Sequence, residues 1–219
     1  MSQLQSEDSN LGPLVIGVEH AARGLCAWAV AVVWDMAAQR LLAYMVACEN
    51  VPAPYRPGRL AYCVSPAISA ALLPLLDRFV PNAVLIHGHG LAHPRGFGLA
   101  CHVGLMHRVK TVGVAEKLLV GEHEKVPAKR AEWRPVIVNA KPIGAALRTR
   151  AEAKVLYISP GWMCDVDEAV DLVMACIRRY RWPEPLRHAR MRLHSAIRHR
   201  LEFHTPGRKK SRPAVRRLE

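Results

Sequence analysis

The chain reads as an α/β protein. Three observations predict that class. Apolar, β-rich segments follow one another near the N-terminus, and helical spacing separates the later strand-like runs. The composition, 51% hydrophobic and 22% charged over 219 residues, supplies a full core for one domain. No apolar run approaches the roughly 20 residues of a membrane span. Residues 1–10 are polar and include Glu7 and Asp8, unlike a signal peptide.

Taken in order, residues 14–21 are an apolar run suited to a buried strand. Residues 26–35 and 41–49, rich in Val, Ala and aromatics, continue it as an antiparallel meander. Pro52, Pro54 and Pro57 make 51–58 a loop. Ile68, Leu72, Leu75, Leu76 and Phe79 give 66–79 helical spacing, with Pro74 expected to kink it. Residues 83–86 read as a central strand ending at a Gly-His-Gly loop, 99–108 as a helix and 111–115 as another buried strand. Further strands are expected at 136–139, 145–149 and 155–159. Asp165 should cap a helix over 166–180, with acids in its first turn and Arg178 and Arg179 in its last, matching the helix dipole. After Pro183 and Pro185, residues 186–204 predict a basic amphipathic helix with Leu186, Ala189, Leu193, Ile197 and Leu201 on one face. The chain thus divides into a flexible lead (1–12), a folded domain (13–183), a basic helix (184–205) and a disordered basic tail (206–219).

The formal charge of +13 is unevenly placed. From residue 178 onward there are 14 Lys/Arg against 3 Asp/Glu; residues 1–177 hold 17 against 15. A basic C-terminal segment is an electrostatic footprint for polyphosphate backbones or acidic partners. The cysteines Cys26, Cys48, Cys63, Cys101, Cys164 and Cys176 are scattered, with no Cys-x-x-Cys pair. That pattern suits reduced thiols in a cytoplasmic protein.

The stretch from Ile86 to Gly104 contains His87-Gly88-His89-Gly90 and Pro94-Arg95-Gly96-Phe97-Gly98. With it go Gly17-Val18, Pro54-Tyr55-Arg56-Pro57-Gly58, Thr111-Val112-Gly113-Val114-Ala115, Leu147-Arg148-Thr149-Arg150, Tyr157-Ile158-Ser159-Pro160-Gly161 and Pro183-Glu184-Pro185. These blocks, in this order, resemble endonuclease V, a family that cuts nucleic acid one nucleotide beyond inosine. The resemblance implies a ribonuclease H-like fold, a mixed central sheet flanked by helices. It also implies a magnesium site built from three carboxylates, because magnesium prefers oxygen ligands in octahedral geometry.

Aligned on those motifs, the family's first aspartate falls on Glu19, its helix glutamate on Val64 and its central aspartate on His87. Its lysine falls on Glu116, with Lys117 one residue along, and its histidine on Trp162. A one-residue offset on a strand points Lys117 to the other face unless a bulge intervenes. The expectation is a family member whose hydrolytic chemistry is lost, with no cofactor. Glu19 and His87 form either a weak metal pair or a core hydrogen-bonded pair. Mg2+ or Mn2+ would matter only in the alternative, an active inosine-directed endonuclease.

Recognition groups remain. The resemblance makes Pro54, Tyr55, Arg56, Pro57 and Gly58 a wedge, with Tyr55 able to stack and Arg56 to reach a phosphate. Gly88, Gly90, Gly113 and Ala115 keep the small residues a pocket for an extruded base needs, or simply serve turn geometry. His89 belongs to the same loop. Arg95, Arg148 and Arg150 are candidates for a backbone track, and Arg208, Lys209 and Lys210 for tail contacts. His93 and His102 are expected to bond loop backbone, and His188, His194, His199 and His204 to face solvent. The predicted function is a nucleic-acid-binding protein, DNA or RNA being open, in DNA repair or a larger complex. Truncation after Pro183 should remove most affinity. A third reading is a protein-interaction scaffold.

Overall fold

The computed structural model describes residues 12–51 and 59–202, together with the backbone of Arg216–Arg217. The predicted wedge residues Pro54, Tyr55, Arg56, Pro57 and Gly58 lie outside the described residues. So do Arg208, Lys209, Lys210 and His204.

The N-terminal meander is β1 (Leu14–Arg23), β2 (Cys26–Asp35) and β3 (Arg40–Asn50), each antiparallel to the next. After α1 (Leu60–Leu76), β4 (Ala83–His87) returns to lie parallel to β1. Helix α2 (Leu99–His107) then leads to β5 (Thr111–Ala115), parallel to β4. A second antiparallel group follows: β6 (Trp133–Val138), β7 (Lys141–Leu147) and β8 (Leu156–Trp162), the last pairing antiparallel with β5. Helices α3 (Val166–Ala175) and α4 (Glu184–Glu202) complete the domain, and the two-residue β9 (Arg216–Arg217) pairs with β3. The sheet order is β6-β7-β8-β5-β4-β1-β2-β3-β9, mixed and helix-flanked as expected.

Period-two alternation on the central strands separates two apolar layers. Ile16 and Val18 of β1 and Val84 and Ile86 of β4 pack with Val64, Ile68, Leu72 and Leu75 of α1. Val15 of β1, Leu85 of β4 and Val112 and Val114 of β5 face the other way, against Val170 and Val173 of α3 and Leu186 of α4. A third cluster sets Trp28, Val30 and Val32 of β2 against Ala189, Leu193 and Ile197 of α4.

Several boundaries differ from the sequence expectation. Helix α1 begins at Leu60 and contains both Pro66 and Pro74. Each interior proline costs about 3 kcal/mol. The fully buried face through Val64, Ala67, Ile68, Ala71, Leu72 and Leu75 offsets that cost. The β6–β7 hairpin turns at Asn139 (φ 50°) and Ala140 (φ 61°), where an Asn-Gly or Asp-Gly pair would have announced the turn. The second strand therefore starts at Lys141, ahead of the expected 145. Asp165 caps α3, its side chain accepting from the Glu168 backbone N–H at 2.8 Å. The helix stops at Ala175, so Arg178 and Arg179 lie beyond it and do not meet its dipole. The basic helix α4 is part of the domain core: Leu186 and Ala189 are fully buried, Leu193 and Ile197 nearly so. Among the described residues no helix is long and apolar enough to cross a membrane.

Candidate functional site

Strands β1, β4 and β5 run parallel, and the C-terminal ends of the latter two release His87 and Glu116 at one edge of the sheet. Glu19 shares its face of β1 with Val15, and His87 shares its face of β4 with Leu85, so both point toward α4. They meet: His87 Nδ1 donates to Glu19 Oε1. The other carboxylate oxygen, Oε2, accepts from Arg190 Nε of α4 at 3.0 Å. Arg190 also places Nη2 3.5 Å from His87 Nε2 and Nη1 3.5 Å from Glu116 Oε1. Trp182 backs the cluster, with the Arg190 guanidinium 4.2 Å above its ring and the His87 ring edge-on to it at 5.3 Å. His20 Nε2 reaches the His87 carbonyl at 2.8 Å.

This is a closed ionic network. Glu19 is only 3% exposed, and burial alone would raise its carboxyl. The hydrogen bond and charge of His87, then Arg190 and His20, outweigh that and hold it below its ordinary value. The carboxylate is therefore ionised and fully partnered.

That geometry decides what the site can hold. Magnesium would need several oxygen ligands, and a guanidinium already stands against Glu19 and beside Glu116. A divalent ion about 4 Å from that fixed charge meets several kcal/mol of repulsion at an effective dielectric constant near 20. Among the described residues, no group of three or more His, Cys, Asp and Glu side chains is arranged to hold a metal. The residues present do not fit the magnesium ion that the motifs imply.

The other expected positions separate. Val64 is fully buried in α1 on the opposite side of the sheet and offers no ligating atom. Trp162 is not part of the cluster: β8 runs antiparallel to β5, pairing Trp162 with Thr111 while Tyr157 pairs with Ala115. Four residues of strand, about 13 Å, separate the two ends. Lys117 follows the end of β5 and is exposed; the irregularity of that strand lies between Thr111 and Val112, so no bulge turns Lys117 inward.

The glycine-rich loop after β4 is built by close backbone contact. Gly88 adopts a φ of 147°. Gly90 N donates to Ser159 Oγ at 2.7 Å, and a Cβ on Gly90 would stand 1.9 Å from the Pro160 carbonyl oxygen. A Cβ on Gly113 would stand 2.6 Å from Gly90 N. Both glycines are thus required where segments touch, and Ala115 is buried at 5% exposure beside them. His89 does not share a strand with His87, since β4 ends at His87. Its ring is pushed down to about 4 by burial, with His93 and His87 adding to the effect against a hydrogen bond to the Lys117 backbone. His93 Nδ1 accepts from the Arg95 backbone N–H, as its loop position suggested.

The arginines differ in exposure. Arg148 donates to the backbone carbonyls of Pro127, Val126 and Ala153, so it braces a loop and is not a track residue. Arg150 and Arg95 are exposed. Arg95 borders a groove of about 1020 Å³ between α1 and α2, lined also by Arg59, Tyr62, Phe97, His102 and Met106. Tyr62 is 66% and Phe97 43% exposed there, an aromatic surface at the mouth of the groove. Of the C-terminal histidines, His194 and His199 are exposed. His188 is not: its ring stacks on Trp34 at 5.3 Å because its helical position faces β2.

Sequence reading missed Arg190, Trp182 and the α1–α2 groove. A signal for Arg190 existed. It stands four residues after Leu186 and three before Leu193, so it is a charge inside an otherwise apolar inward stripe.

Comparison with known proteins fits this architecture. The endonuclease V family model matches residues 2–191. The endonuclease V of Roseiflexus castenholzii is 39% identical over 180 residues, covering 81% of this chain and 80% of the relative. The crystal structure of endonuclease V from Streptomyces avermitilis superposes with a TM-score of 0.79 at 34% identity, covering 87% of this chain and 83% of that one. Human endonuclease V superposes with a TM-score of 0.79 at 30% identity, covering 88% and 87%. With motif order, sheet topology and sequence in agreement over most of its length, the chain belongs to the endonuclease V family.

Proposed function

We propose that this chain binds nucleic acid and does not hydrolyse it. The observation carrying this reading is Arg190, whose guanidinium engages Glu19 and stands 3.5 Å from both His87 and Glu116. Hydrolysis of the family type draws several kcal/mol from a bound ion that stabilises charge and activates water. A fixed organic cation balances Glu19 but offers no open coordination position to water or phosphate. The motif alignment supports the same conclusion, with Val64 and His87 standing at carboxylate positions. The buried thiols of Cys101 and Cys176 offer no substitute nucleophile: burial pushes both up, the latter to about 12.

Binding rests on different features. The groove beside Arg59 and Arg95 combines cations with the exposed rings of Tyr62 and Phe97. Bases stack on such rings while guanidiniums take the backbone. Family membership adds that nucleic acid is the partner class for this scaffold. The basic C-terminal segment supplies a long-range attraction. Localisation to the cytoplasm and a role in repair of deaminated DNA belong to this same proposal.

Fluorescence anisotropy with labelled DNA and RNA, with and without inosine, tests it. The expected result is binding that weakens steeply with salt through counterion release, an affinity loss in Tyr62→Ala, and strands recovered uncut. Absence of binding at low salt overturns the reading. Strand scission that disappears in Glu19→Ala would restore the hydrolytic alternative.

A further inference from the structure

A second cavity, of about 510 Å³, lies where the end of β2 and the β2–β3 turn meet the start of α4. It is remote from the Glu19 cluster. Trp34 pairs with Val15 on β1, four residues before Glu19, or about 13 Å of strand. Arg40, Arg178 and Arg179 stand around it, all exposed, Arg178 Nη1 reaching the Gln39 carbonyl at 3.4 Å. Arg187 and His188 also line it but are engaged: Arg187 binds the Glu184 carboxylate at 2.7 Å and lies 4.4 Å over the Tyr180 ring. Among the described residues the only carboxylate in the lining, Glu184, is thereby neutralised, and His188 Nε2 stands 3.6 Å from it. The cavity is left with a net positive surround.

Two buried polar atoms of its walls are unsatisfied. Trp34 Nε1 is a donor and Gln39 Oε1 an acceptor, and among the described residues neither has a hydrogen-bond partner. Trp34 is only 3% exposed, and stacking against His188 fixes its indole. A buried polar group without a partner costs about 1–3 kcal/mol, so such atoms are rare unless something completes them. The complement must offer an acceptor to the indole N–H, a donor to the amide oxygen and negative charge to the arginines. Planar guanidiniums favour phosphate oxygens, which they bind in bidentate fashion. The volume exceeds what an inorganic anion fills and falls within the range of small-ligand sites.

We propose that this cavity binds the phosphate ester of a nucleotide. The phosphoryl oxygens lie among Arg40, Arg178 and Arg179, and the amino- or hydroxyl-bearing remainder lies against Trp34 and Gln39. The same chemistry has two sources, a free mononucleotide or a nucleotide within a strand held elsewhere on the protein. The site does not rest on the groove between α1 and α2, so it stands or falls separately from the proposed function.

Calorimetry at low salt on the full chain tests it, using AMP, adenosine and a ten-residue single strand as probes. AMP is expected to bind, and adenosine, lacking the phosphate, at least ten-fold more weakly. The double variant Arg178→Gln/Arg179→Gln should weaken AMP binding ten-fold or more. Trp34→Phe, which keeps an aromatic ring at this position and removes the donor, should weaken it several-fold. Arg198→Gln, an exposed cation removed elsewhere on α4, should leave it unchanged. AMP as tight as the strand identifies the free nucleotide as the source. A strand that binds more tightly, and that loses affinity in the double variant, identifies nucleic acid. The proposal is overturned if AMP and adenosine bind alike, if neither probe responds to the double variant, or if Arg198→Gln has the same effect as that variant.

Discussion

Replacing Arg190 with methionine removes the cation that balances Glu19 while keeping a long apolar stem. Glu19 is 3% exposed, so its ionised carboxylate would then rest on His87 and the His20 backbone N–H at 3.4 Å, with no fixed cation beside it. Breaking a fully buried pair costs about 3–5 kcal/mol. The Arg190 side chain is 29% exposed, which lets solvent screen part of the charge. A loss of about 2 kcal/mol is therefore expected, or about 4–8 °C in Tm for a domain of this size. The loss should depend on pH with a definite sign. The Glu19 carboxyl is held below its ordinary 4.5, so its stabilising contribution is complete above that value and fades as pH falls through the folded one. Thermal unfolding of wild type and Arg190→Met at pH 7 and pH 3 should show a gap at neutral pH that narrows in acid. Glu19→Gln/Arg190→Met, which removes both charges, should recover much of the neutral-pH loss. A single variant that melts within a degree of wild type, or a double variant whose effects simply add, refutes the coupling on which the site description rests.

Three further outcomes follow from the structure. His89, pushed down to about 4 against an ordinary 6.5, stays neutral in the folded state while unfolded chains take up the proton. Stability should therefore fall by up to about 3 kcal/mol as pH drops from 6.5 to 4, and this slope should flatten in His89→Gln; an unchanged slope contradicts the assignment. Gly90→Ala puts a methyl group 1.9 Å from the Pro160 oxygen and should cost more than 3 kcal/mol or abolish soluble expression, whereas Gly24→Ala, open on all sides but at φ 58°, should cost only about 1 kcal/mol; chemical denaturation compares them. Truncation after Pro183, which the sequence predicts to remove most affinity, also strips the buried Leu186, Ala189, Leu193 and Ile197 from the sheet. At about 1.5–3 kcal/mol for each large side chain this approaches the whole stability of a domain, so circular dichroism should show the truncated chain unfolded.

The strands that hold the core were legible because both of their signals agreed. The meander β1–β3 is a series of near-continuous apolar runs bounded by short polar turns, and β5 is a short apolar block between polar neighbours. Boundaries failed where packing overrode local chemistry. Pro66 and Pro74 look like helix breakers, yet α1 continues through both because one face is sealed against β1 and β2. Asn139 looked like a strand end because its partner in the turn is Ala140, a residue seldom found at positive φ. At the site, motif order located Glu19, His87 and Glu116, whose side chains Arg190 does draw together. Motif alignment also marked Trp162, which lies at the other end of β5, paired with Thr111, because β8 runs antiparallel to it. Arg190 escaped notice because a basic residue on a basic helix looks like one more solvated charge. Only the helical phase set by Leu186 and Leu193 distinguishes it from Arg192 or Arg198.

The Arg190 guanidinium, 3.0 Å from Glu19 Oε2 and 3.5 Å from Glu116 Oε1, should keep a divalent ion from these carboxylates. Electron paramagnetic resonance of Mn2+ titrated with the purified chain measures this directly, since the free aquo ion gives a strong six-line signal that diminishes on binding. The free-ion signal should persist undiminished into the millimolar range. Stoichiometric loss of that signal at micromolar protein, abolished by Glu19→Ala, would contradict the account.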